Sequence, residues 1–159
     1  MKIRRMGFAA VLLLTPAMSR VVEPPNPKDL TQGKWELNVA KSKFCGAAPK
    51  KSERVIVDAG WGLIYTTWTG VAADGNPVLI HYVARYDGDK YPAGLDRPAT
   101  ESITWKLVNP NRVEFVHWSK DDKMTSSYVR TVSTDGQTMI QSSKFVGQAC
   151  EESQVFERR

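Results

Sequence analysis

The sequence predicts an all-β fold, an antiparallel up-and-down β-barrel of about eight to ten strands. Three observations carry this. Apolar and polar side chains alternate with a period of two in several segments, as in Ile103, Trp105 and Leu107 against Thr104 and Lys106. The segments are joined by turn-length connections such as Ala73-Asp74-Gly75-Asn76, Asn109-Pro110-Asn111 and Thr134-Asp135-Gly136. No long amphipathic helical pattern follows residue 19. A chain of about nine strands must hide its edges, and closure does so with few connections. A β-sandwich is the competing architecture, disfavoured because hairpin-length links leave little room for Greek-key crossings.

Residues 1–19 read as a secretory signal peptide. Lys2, Arg4 and Arg5 form a basic start, Gly7–Leu14 is apolar, and Ala17-Met18-Ser19 offers small residues for cleavage. The apolar run is shorter than the roughly 20 residues a bilayer-spanning helix needs. A periplasmic or secreted location follows, with no integral membrane segment in the mature chain. Without these residues, the formal charge falls from +5 to +2, because three basic residues and no acids are removed. Lys41, Lys43, Lys50, Lys51 and Arg54 are the one dense basic group. They read as a solvated loop, too sparse for a nucleic-acid surface.

Residues 20–32 form a Pro-rich linker or plug, with Pro24, Pro25 and Pro27 opposing regular pairing and Lys28–Gln32 able to make one helical turn. The barrel domain spans 33–159. Gly33–Phe44 is its first strand, with Trp35, Leu37 and Val39 alternating against Lys34, Glu36 and Asn38. A loop over 41–52 leads to strands at Glu53–Ala59, Leu63–Ala72 and Val78–Tyr86; the last two are joined by a hairpin turn. Asp87–Ala99 is expected to be irregular. Strands follow at Glu101–Val108, Val113–Ser119, Lys123–Ser133, Thr138–Val146 and Glu152–Glu157.

Cys45 and Cys150 are the only cysteines, and in an exported chain they are expected to pair. They flank the first and last strands, which are neighbours in an up-and-down barrel. No phosphate loop, metal-binding pair of histidines or nucleophile elbow is present, so no metal, cofactor or catalytic set is expected. His81 and His117 would make a proton-transfer site only if both faced inward near a carboxylate.

The strands of the second half have two semi-polar faces. Met124, Ser126, Tyr128 and Arg130 oppose Thr125, Ser127, Val129 and Thr131, and Met139, Gln141, Ser143 and Phe145 oppose Thr138, Ile140, Ser142 and Lys144. Such strands line either a wet pocket or an exposed surface. Candidate ligand contacts are Trp61, Trp68, Tyr82, His117, Tyr128 and Arg130. Trp61, between two glycines, either guards a barrel mouth or covers an edge; Arg130 and Lys144 are candidate internal cations.

Gly33-Lys34-Trp35-Glu36-Leu37, with Lys41-Ser42-Lys43-Phe44, resembles the opening of lipocalin and fatty-acid-binding-protein sequences. The tail ending Gln154-Val155-Phe156-Glu157-Arg158 is similar to their closing strand. Tyr86–Pro92 and Val132–Met139 resemble segments of uncharacterised secreted bacterial proteins of this type. The resemblance implies a monomeric, non-catalytic barrel that binds a small, mostly apolar molecule, with Gly33 and Trp35 structural. The other reading is an envelope interaction module with a packed barrel and no ligand. The Arg-x-Tyr pair that holds a fatty-acid carboxylate is replaced by Gln154 and Phe156, and 41–52 is too short for a two-helix lid.

Overall fold

The computed structural model describes residues 28–93 and 100–159. The expected signal peptide, linker residues 20–27 and part of the 87–99 connection lie outside them. Ten strands form one antiparallel meander: β1 (Gly33–Leu37), β2 (Lys51–Gly60), β3 (Leu63–Val71), β4 (Pro77–Ala84), β5 (Asp87–Pro92), β6 (Ser102–Asn109), β7 (Arg112–Trp118), β8 (Met124–Val132), β9 (Thr138–Phe145) and β10 (Glu151–Arg158). Consecutive strands pair except β4 and β5, while β1 pairs with β10, for example Trp35 with Arg158 and Leu37 with Phe156. This is the up-and-down barrel, with one seam between β4 and β5 spanned by the bridge of Tyr82 with Ala93. Among the described residues no helix is long and apolar enough to cross a membrane.

Two elements depart from the sequence reading by more than a residue or two at their ends. The first strand ends at Leu37 and a 3-10 turn, Val39–Lys41, follows. Asn38 caps that turn by accepting from the Lys41 amide, and its own side-chain amide donates to Glu157, so the chain turns out of the sheet before Val39 can face inward. The second correction is β5, within the stretch expected to be irregular. It is almost wholly exposed and carries a bulge around Gly88, so it lacks the period-two signal that marks its neighbours.

One end of the barrel is closed. Trp35 is buried, donates its indole N–H to the Thr31 carbonyl at 2.7 Å, and lies under the Arg158 guanidinium at 4.2 Å. Arg158 in turn donates to the carbonyls of Leu30, Gln32 and Gly136. Gly33, at φ 134°, sits where a Cβ would strike Arg158, so a side chain there would break this closure. Residues 29–32 form a turn across this end, with Asp29 and Thr31 buried. Inside lie Ile56, Ile64, Ala84, Val113, Met139 and Phe156.

The other end is the mouth. It carries the 42–50 loop, the β3–β4 and β7–β8 turns, and the β9–β10 turn. Cys45 and Cys150 are disulfide-bonded there, with Cα atoms 5.7 Å apart.

Candidate functional site

The inward phase of each strand decides what the mouth half of the barrel contains. β8 turns Ser126, Tyr128, Arg130 and Val132 inward, and β9 turns Met139, Gln141 and Ser143 inward, while the opposite faces are less buried. Their semi-polar character therefore belongs to the interior. On β2 the phase is the reverse of what its valines suggest. Ser52, Arg54 and Ile56 are buried, whereas Val57 is exposed, because Arg54 is the register partner of inward-facing Trp35. Arg54, read from sequence as part of a solvated basic loop, is an interior residue, 4% exposed.

These side chains enclose an inner cavity of about 50 Å³, room for only a few waters. It widens into a mouth vestibule of about 330 Å³ walled by Phe44, Pro49, Val71 and Val78. Trp68, Phe145, Glu152 and Gln154 line both and form the throat.

Two guanidinium groups face the inner cavity. Arg130, 1% exposed, lies over Phe115 at 4.6 Å and Trp105 at 5.4 Å, and donates from Nε to Gln141 Oε1 at 3.0 Å. Its Nη1 has no hydrogen-bond partner among the described residues, and no carboxylate there lies within ion-pairing distance of it. Burial pulls its pKa down to about 10, opposed by electrostatic attraction to the Tyr86 phenol oxygen and the Asp29 carboxylate. It remains protonated at neutral pH. Arg54 lies over Trp68 at 4.9 Å and Phe156 at 4.8 Å, and donates from Nη2 to Gln154 Oε1 at 3.2 Å. Stacking on aromatic faces offsets part of the cost of burying either charge. The arginines and glutamines form one polar belt, since Arg130 pairs in register with Gln141 and Gln141 with Gln154.

Below Arg130, the Tyr86 hydroxyl donates to Asp29, and burial and that carboxylate push the phenol pKa up. Beside it, Phe115 and Tyr128 stack at 4.6 Å, and the Tyr128 ring also meets the His117 ring at 4.6 Å.

Of the six candidate contacts, the structure brings five to one cavity: Trp68, Tyr82, His117, Tyr128 and Arg130. Trp61 is not among them. It lies in the β2–β3 turn at the closed end, 53% exposed. Lys144, the other candidate cation, points outward and pairs with Glu151. His81 is exposed on the outer face while His117 is interior, so the two histidines do not share a site. Among the described residues no cluster of His, Cys, Asp or Glu could hold a metal ion. Sequence reading missed Arg54, Gln141, Ser143 and Glu152, whose signal was the inward phase shared with Ile56, Met139 and Phe156.

No protein-family model matches the sequence, and no curated protein does so significantly. Solved structures do match by shape. As-p18, an extracellular fatty acid binding protein, gives a TM-score of 0.60 at 13% identity, covering 85% of this chain and 100% of that one. Wild-type fluorescent protein UnaG gives 0.57 at 12% identity, covering 80% and 96%. Secretory abundant heat soluble protein 4 from Ramazzottius varieornatus gives 0.58 at 10% identity, covering 86% and 99%. These matches support the barrel type and not the narrower bacterial resemblance. By strand order, closure and these likenesses, the chain has the lipocalin and fatty-acid-binding-protein type of barrel fold.

Proposed function

We propose that the protein is an exported, non-catalytic barrel that binds a small, mostly apolar molecule carrying one anionic group. The observation that supports this is Arg130. A buried guanidinium facing a cavity, with no carboxylate of the described residues in ion-pairing range, costs folding energy. An incoming anion would offset that cost, and the apolar vestibule would take the rest of the molecule. The anchor would then be Arg130, with Gln141 and Arg54, in place of the last-strand Arg-x-Tyr pair the chain lacks. Export is supported by the residue 1–19 pattern and by the disulfide.

The small inner cavity favours a second reading, a packed barrel that acts as an interaction module. Native mass spectrometry of the protein recovered from its own host separates the two. The binding reading expects an adduct of a few hundred daltons that is released on denaturation. A bare chain mass, unchanged after incubation with medium-chain acids, would favour the packed barrel.

A further inference from the structure

Glu152 is an acid in a cavity otherwise provided with cations. Among the described residues it is the acidic one that lines both the inner cavity and the vestibule, and so stands at their junction. Two of its acceptor sites are used, by the Cys45 amide at 3.4 Å and by the Gln154 side-chain amide at 3.2 Å. An ionised carboxylate has about four such sites. Among the described residues, no lysine or arginine lies within ion-pairing distance of it. A plain fatty acid leaving the inner cavity would have to lay an apolar chain against this carboxylate, which costs desolvation with no return.

Building on the anion-binding reading above, we infer that Glu152 sets the ligand class. The ligand is a zwitterion: an acid with an ammonium or comparable donor placed to meet Glu152 while its carboxylate meets Arg130. The strand register gives the separation. Arg130, Gln141 and Gln154 lie in one row, and Glu152 is two residues further toward the mouth on β10. Two residues of strand rise about 7 Å and the two strand spacings from β8 to β10 add about 10 Å across the sheet, so the Cα atoms of Arg130 and Glu152 are about 12 Å apart. Phe145 at the throat and Phe44 in the vestibule offer apolar surface for a spacer between the two charges.

The test compares 4-(aminomethyl)benzoate, whose charged ends are about 7 Å apart and so leave room within that span for a hydrogen bond of about 3 Å at each end, with 4-ethylbenzoate, which has the same skeleton and no amine. Both are titrated by calorimetry into the full mature protein and into Glu152→Gln, which keeps the side chain's shape and an acceptor for the Cys45 amide. The expected result is that the wild type prefers the amino acid by about tenfold, since a charge-assisted hydrogen bond is gained, and that Glu152→Gln abolishes the preference while keeping the wild-type affinity for 4-ethylbenzoate. Equal affinity for the two in the wild type would overturn the zwitterion assignment and leave the anion-binding reading standing. Binding of neither probe at millimolar concentration would overturn both.

Discussion

Arg130 and Arg54 are placed by strand phase and not by local chemistry. Both are held by the same device: the guanidinium lies across two aromatic rings and one N–H reaches a glutamine carbonyl. For Arg130 that leaves, among the described residues, one nitrogen without a hydrogen-bond partner and no carboxylate within ion-pairing distance. Replacing even a buried ion pair by well-packed apolar residues is commonly neutral or stabilising, by roughly 1–4 kcal/mol, and a buried cation with no carboxylate in range has less Coulombic gain to lose. Arg130→Met is therefore expected to leave the unfolding free energy in urea unchanged or raised. A loss of several kcal/mol would mean that Arg130 is a structural strut. Arg130 is legible in the sequence because it alternates with Tyr128 on a strand with apolar neighbours. Arg54 is not, because Val55 and Val57 on the same strand are the more obvious inward set, and only pairing with Trp35 reveals that they face out.

Among the elements, the 42–50 loop is the one that joins fold to site. It runs from the 3-10 turn to β2, contributes Phe44, Ala47 and Pro49 to the vestibule, and is tied to the start of β10 by the disulfide and by the Cys45 amide on Glu152. The cross-link spans 105 residues of chain, for which the chain-entropy account gives at most about 4–5 kcal/mol. The Cys45→Ser, Cys150→Ser double variant is expected to lose roughly 2–5 kcal/mol in chemical unfolding while keeping its far-ultraviolet dichroism. An unchanged midpoint would show that β1–β10 pairing alone fixes this corner. Elements with strict alternation, β6 above all, are legible in the sequence. β5 is not, because an exposed edge strand with a glycine bulge has no buried face to leave a pattern.

At the scale of the molecule, the barrel is a gradient from dry to wet. Trp35, Arg158 and residues 29–32 seal one end. A layer of Ile56, Ile64, Val113, Met139 and Phe156 follows, then the arginine–glutamine belt, then the open vestibule. The architecture is readable from hairpin spacing and the Gly33–Trp35 opening. The belt is not, because its members come from four strands, β2, β8, β9 and β10, that only closure brings together. Whether this belt anchors an anion is tested by isothermal titration of decanoate into the protein and into Arg130→Met, since decanoate carries one carboxylate and an apolar chain. Saturable one-to-one binding to the wild type is expected, weakened at least about tenfold in Arg130→Met, as loss of a buried charge-assisted contact requires. Equal affinity in the two proteins would contradict an anion-anchoring belt.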